Sequence, residues 1–422
     1  MHQSATDPPP RVLHVTQPVD GGVARVVVQL VGAQLAAGLR VSVACPDGPL
    51  TGLLHQAGAE VLHWPATRSP GPALAREVRS LGRLAGEVRP ELVHAHSAKA
   101  GLAARLALRG RIPTVFQPHA WSFEAVGGAT AALALNWERF GARWARRTVC
   151  VSEAERRRGV RAGIAARWSV VPNGVDTEAF HPAAVDTVRA SLLPDCDPAA
   201  PLVVCVGRLC EQKGQDVLLE AWRRVLRRVP RARLALVGDG PLREQLAAVA
   251  PESVLFAGAV ADPVPWYQAA DLVVLPSRWE GMALAPLEAM ACGRPVLLTD
   301  VDGSRESLPS GLAPRCLVPP MAPAALAEAL AALLLDPMQR ESLGHQGRRH
   351  VLASHDVRHT TGAVTDLYRE LLGGARRTAC PAADLPPTGD PGPAEAPAPR
   401  PTLTEDPAAR PAPTEDREHI HS

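Results

Sequence analysis

The segment richest in chemistry runs from Pro276 to Asp300, PSRWEGMALAPLEAMACGRPVLLTD. It holds two carboxylates, Glu280 and Glu288, with seven residues between them. A strand ending at Pro276 is expected to enter a loop carrying Glu280 and Gly281, followed by a helix over 283–292 that Gly293 stops. Pro286 is tolerated because it falls in the first turn. Glu280 then lies just before the helix and Glu288 farther along its axis, roughly 12 Å away at ~1.5 Å of rise per residue. The free amides and positive dipole end of that helix face whatever sits beside Glu280, Gly281 and Met282, and Gly281 admits close backbone approach. Such a cradle suits a nucleotide sugar, with amides for the diphosphate and carboxylates to accept from sugar and ribose hydroxyls. Spacing alone favours a plainer reading, in which Glu288 faces solvent and Glu280 only offsets the helix dipole.

Other groups could serve the same ligand. Arg208 and Lys213 straddle a turn between a strand over 201–207 and a helix over 214–229, which directs both cations to one side. Gly21 and Gly22 follow the first strand and open a helix, so a phosphate could approach their backbone. His119 follows a strand over 113–117 and reads either as a site residue or as a hydrogen-bonded structural histidine. His94 and His96 share a strand face, but a bare His-x-His with no carboxylate or cysteine nearby favours a structural role over a metal. Asp300 and Asp302 read as turn residues because Gly303 follows directly. No metal site is expected.

The elements that must position these groups come in two sets. Strands are predicted over 11–16, 40–45, 60–64, 91–96, 113–117, 148–152 and 169–172, and again over 201–207, 232–238, 253–257, 271–276 and 295–299, with helical patterns between them. Alternation of this kind implies parallel sheets covered on both faces. The expected architecture is α/β: two Rossmann-like, doubly wound domains facing a central cleft, where ligands collect beyond the carboxyl ends of the strands. The predicted organisation is a disordered tail over 1–10, one domain over 11–185, a second over 186–354, a helix over 355–374 returning to the first domain, and a disordered Pro/Ala-rich tail over 375–422. Val364, Leu367, Leu371 and Leu372 form the apolar side of the returning helix.

Composition narrows the class. Across 422 residues, 46% hydrophobic and 21% charged content is enough for a real core, and a net charge of +2 does not suggest a nucleic-acid binder. Eight cysteines without a C-x-x-C pair argue against a zinc cluster or disulfide scaffold and suit a reducing compartment. No secretory signal or membrane-spanning run is visible, so a soluble cytoplasmic protein is expected. Only Lys99 and Lys213 are lysines among 45 basic residues, the mark of a GC-rich coding sequence, so each lysine carries more information than any arginine. The nine arginines over 139–167 read equally as bias on solvated helices and as a peripheral contact with anionic membrane.

The E-x7-E followed by AMACGRPV closely resembles the motif of retaining glycosyltransferases of the GT-B fold, in particular glycosyltransferase family 4. QPVDGGVARVVVQL, VHAHSAKAG, QPHAWSF, VPNGVD, GRLCEQKG and VGDGP resemble further family segments, in the family's order. The likeness spans about 11–372, nearly all of the expected folded chain. It implies that Arg208 and Lys213 neutralise the donor diphosphate as the glycosidic bond breaks. It also places Glu280, Gly281, Met282 and Ala283 near the donor, Glu288 on the ribose hydroxyls, Gly21 and Gly22 at the diphosphate, and His119 against donor sugar or acceptor. The activity implied is metal-independent transfer, with retention, from a UDP- or GDP-sugar to a hydroxyl of a saccharide or lipid-linked acceptor in polysaccharide or glycolipid synthesis. The nucleotide sugar is a co-substrate and no cofactor is implied. The rival readings are a nucleotide-sugar epimerase or hydrolase on this fold, and a non-catalytic scaffold.

Overall fold

The computed structural model describes residues 9–194 and 196–378, with side chains to 373. The tails expected over 1–10 and 375–422 fall almost wholly outside these residues. Two all-parallel sheets organise the chain. The first holds β1 (Arg11–Thr16), β2 (Arg40–Cys45), β3 (Glu60–His63), β4 (Leu92–His96), β5 (Thr114–Gln117), β6 (Arg147–Cys150) and β7 (Trp168–Val170), in the order β3-β2-β1-β4-β5-β6-β7. The second holds β8 (Leu202–Val206), β9 (Arg233–Val237), β10 (Val254–Gly258), β11 (Leu272–Leu275), β12 (Val296–Thr299) and β13 (Leu317–Val318), in the order β10-β9-β8-β11-β12-β13. Both are doubly wound, as the strand pattern required. The order reverses between β1 and β4 in one sheet and between β8 and β11 in the other, and at such switch points the loops diverge to leave a ligand crevice.

Burial explains why these runs are continuous in apolar residues. Leu92, Val93 and Ala95 of β4 and Val203 to Cys205 of β8 are almost fully shielded, because helices cover both sheet faces. The helix Val357–Thr378 extends beyond the predicted end at 374. Its Val364, Leu367, Tyr368 and Leu371 pack on Val12, Leu92, Val115 and Val149 of the first sheet. Just before it, Val175 exchanges backbone bonds with His355 and Val357 (2.8 and 2.9 Å), pinning the turn between the domains. No helix of the described residues is long and apolar enough to cross a membrane. The seven described cysteines are free.

Candidate functional site

The predicted groups follow the carboxyl ends of strands at or next to the two switch points. Gly21 and Gly22 follow β1, His119 follows β5, Arg208 follows β8 and Glu280 follows β11. The helix after Glu280 spans Leu284–Ala291, with Ala283 as its N-cap and Gly293 ending it at φ +74°. Gly21 has φ +70°, a left-handed turn that favours glycine, and starts the helix Gly21–Ala36 two residues earlier than its apolar stripe suggests.

Two short loops brace one another on one wall of the cleft. Lys213 Nζ donates to Glu280 Oε1 at 2.5 Å, and Ser277 Oγ donates to the same oxygen at 2.7 Å. Gln212 Nε2 donates to the Trp279 carbonyl at 3.1 Å, and Arg278 grips Asp216 through two bonds of 2.7 and 2.8 Å. Glu280 therefore does more than offset a helix dipole. Its carboxylate is aimed by a cation and a hydroxyl, and it is 7% exposed. Arg208 makes no ion pair among the described residues. It faces Arg68 of the first domain, whose guanidinium is held below its usual range by burial and then by the Arg208 charge, with Asp20 opposing. Two neighbouring cations of this kind attract an anion.

Glu288 does not face solvent. It is 2% exposed and lies in the second domain, yet it pairs with Arg25 of the Gly21–Ala36 helix. Tyr267 Oη donates to its other oxygen at 2.6 Å, and burial first, then the Glu288 charge, hold that phenol well above its ordinary value. Met282 is buried, and its carbonyl accepts from Asn173 Nδ2 of the interdomain turn at 2.7 Å. A Cβ on Gly281 would lie 3.0 Å from both the His119 carbonyl and Val151 Cγ2, so glycine here lets the loops of the two domains touch. Gly22 is less tightly constrained, since a Cβ would meet Leu284 at 3.8 Å.

His119 is partly exposed and has φ +60°, followed by Ala120 at φ +149°. Both values are rare for residues with a side chain. His14, His94 and His96 are fully buried beside it, with ligand nitrogens within 4.8 Å of one another and no carboxylate or thiolate in the set. Burial pulls His14 to about 4 and His119 to about 3, so these imidazoles are neutral at pH 7. Lys99 is not a ligand residue. Its amine is buried against Glu77 at 2.6 Å and donates to the Ser69 carbonyl at 3.1 Å, while Glu77 accepts from Thr67, so the pair pins the loop that carries Arg68. Asp300 and Asp302 pair with Arg305 and Arg158.

Arg25, Arg68, Ser277 and Tyr267 lie against the candidate site residues, and sequence reasoning missed them. Two arginines were hidden by the arginine bias, and Tyr267 lay in a helix with no motif. The structure brings Lys213 to Glu280, the His119 backbone to Gly281, and the Gly21–Gly22 helix to Glu288 through Arg25.

Comparison with known proteins matches residues 20–179 to a glycosyltransferase family 4 model and residues 200–336 to a model described as glycosyl transferases group 1. The chain is 33% identical over 220 residues to the lipopolysaccharide core biosynthesis mannosyltransferase LpcC of Rhizobium leguminosarum bv. viciae, covering 49% of this chain and 61% of that protein. The chain thus spans about six-tenths of the length of this relative. It is 30% identical over 387 residues to the alpha-maltose-1-phosphate synthase of Mycolicibacterium smegmatis, covering 84% of this chain and 96% of that one. Among solved structures, Anabaena Alr3699/HepE in complex with UDP and glucose superposes with a TM-score of 0.74 at 24% identity, over 85% of this chain and 99% of that one.

Proposed function

The chain belongs to glycosyltransferase family 4 and has the GT-B fold, and from that premise we propose that it moves a sugar from a UDP- or GDP-sugar to a hydroxyl of a saccharide or lipid-linked acceptor. One observation carries the reading. Arg208 and Lys213 after β8 and Glu280 with Glu288 after β11 flank the switch point of the second sheet and converge beside the Gly21–Gly22 helix start of the other domain. The donor diphosphate lies between the Arg208 and Lys213 cations, with Arg68 adding charge from across the cleft. This preorganised charge grows in value as the glycosidic bond breaks, which is the work a divalent cation does elsewhere, and it supports a metal-independent reaction. Glu280, aimed by Lys213 and Ser277, accepts from a donor-sugar hydroxyl. Glu288 accepts from the ribose diol, which takes the place of Arg25 on the carboxylate. Transfer with retention follows the family resemblance, with attack on the face the diphosphate leaves and the leaving phosphate taking the acceptor proton.

The curated relative from Rhizobium builds lipopolysaccharide core, and a glycolipid or cell-surface polysaccharide acceptor suits this chain too. A nucleotide-sugar donor favours a location on the cytoplasmic side. Part of the basic tract is used internally: Arg156 and Arg157 pair with Glu153, and Arg158 with Glu124 and Asp302. Arg139 on the helix Gly128–Gly141 and Arg143 in the turn just after it form no ion pair among the described residues, and that helix also carries Leu133 (72% exposed) and Phe140 (44%). That mixed basic and apolar face favours peripheral contact with an anionic membrane.

The direct test incubates the protein with each UDP- and GDP-sugar, with and without saccharide and lipid-linked acceptors. It follows release of the nucleoside diphosphate and the anomeric configuration of the product, and repeats the reaction in chelator. Acceptor-dependent release with a retained anomer, unchanged by chelator, is the expected result. Release without any acceptor marks a hydrolase or epimerase, and failure to bind any donor marks a scaffold; either overturns the reading.

A further inference from the structure

The buried histidines form an ordered run toward the cleft. His14 on β1 stands in register with His94 on β4, and His96 with Gln117 on β5. His14 Nε2 contacts Gln34 Oε1 at 2.8 Å, His14 Nδ1 contacts His96 Nε2 at 3.0 Å, and His96 Nδ1 contacts His119 Nε2 at 3.2 Å. A neutral imidazole has one N–H and one bare nitrogen, and the bond made by one nitrogen fixes the state of the other. Such a run can point only one way. The Gln34 carbonyl oxygen is an acceptor, so His14 carries its proton on Nε2. His14 Nδ1 is then bare and accepts from His96 Nε2–H, and His96 Nδ1 accepts from His119 Nε2–H. His119 Nδ1 is left bare, with no hydrogen-bond partner among the described residues.

A second contact flanks the run. Tyr368 Oη lies 2.6 Å from His94 Nδ1. The phenol O–H donates to a bare His94 Nδ1, so His94 carries its proton on Nε2. Gln34 Nε2, His94 Nε2 and Gln117 Oε1 are buried and make no hydrogen bond among the described residues. The left-handed backbone at His119 holds its ring at the end of the run and its carbonyl against Gly281.

We propose that Gln34, His14 and His96 are positioning residues that hold His119 as its Nε2–H tautomer, presenting a bare Nδ1 to the cleft as the acceptor for a sugar hydroxyl. The inference rests on the functional reading above. It makes His119 an acceptor and never a proton donor toward substrate. The hydroxyl belongs to the donor sugar or to the incoming acceptor.

The test uses the full chain labelled with 15N-histidine, because bare and protonated ring nitrogens resonate far apart. In the ligand-free protein the His119 resonance, identified by its loss in His119→Gln, should show a bare Nδ1. A protonated Nδ1, or a stoichiometric metal on these rings in the purified protein, overturns the proposal. Gln34→Met removes the acceptor that sets the direction, while Gln34→Glu keeps it. The first should mix the His119 tautomers and the second should not; an unchanged tautomer in Gln34→Met overturns the proposal. Apparent affinity for the nucleotide sugar should fall by the reciprocal of the competent fraction, about twofold for an even mixture, with UDP and GDP alone unaffected. If the loss appears only with acceptor present, the hydroxyl is the acceptor's. If no nucleotide binds the parent protein, the functional reading fails while the NMR result still decides the tautomer.

Discussion

The site's least expected feature, the buried Arg25–Glu288–Tyr267 contact, gives the sharpest stability prediction. Tyr267 is fully buried and Glu288 is 2% exposed, so each depends on the other for its hydrogen bond of 2.6 Å. Tyr267→Phe removes one bond to a charged acceptor and should cost about 1.5–3 kcal/mol. Glu288→Ala strands the phenol, at about 1–3 kcal/mol, and loses the Arg25 pair, taken as about 1 kcal/mol because that arginine is 34% exposed to water. In the double variant no phenol is left to strand, so the loss should fall short of the sum by about 1–3 kcal/mol. Glu288→Gln keeps an oxygen for Tyr267 and should be milder than Glu288→Ala. Urea unfolding of all four proteins, followed by both tryptophan fluorescence and circular dichroism with equal m-values, measures the cycle. Losses that add to within about 0.5 kcal/mol would show that the two side chains act independently and would refute the reasoning.

Other consequences follow from the same contacts. Arg208→Ala and Arg68→Ala should each weaken UDP and GDP binding by about tenfold, without lowering the melting temperature of the free protein, because each relieves a like-charge contact; calorimetry and thermal melts read both effects. Gly281→Ala places a methyl 3.0 Å from the His119 carbonyl and should reduce transfer more than nucleotide binding, as separate turnover and affinity measurements would show. Burial lifts Glu155 to about 8, so its contribution to stability is complete below the ordinary carboxylate range and is lost as pH rises toward 8. Glu155→Gln should therefore flatten the decline of melting temperature between about pH 5 and 8.

Much of this was legible in residue order because strand–helix alternation and motif position report local structure. The strand ends delivered Arg208, Glu280 and His119 to or beside the switch points without any knowledge of tertiary contacts. β13, only two residues long, gave no pattern to read. Contacts between distant segments were invisible: Arg25 and Glu288 are 263 positions apart, and among so many arginines nothing marked the first. Lysine rarity did flag Lys99, but the flag marked a buried ion pair that holds Arg68's loop. His-x-His was recognised as structural in tendency, while the partners that turn it into a directed run, His14 and Gln34, come from another strand and a helix.

The central claim is that a nucleotide sugar lies between the Arg208–Lys213 turn and Glu288. It is tested most directly by thermal shift of the full chain with a panel of UDP- and GDP-sugars, beside Lys213→Ala and Glu288→Ala. At about 100 times its dissociation constant, the correct donor should stabilise the parent by ~2.7 kcal/mol and neither variant appreciably. A donor that stabilises all three proteins alike, or a panel that stabilises none, would contradict the account.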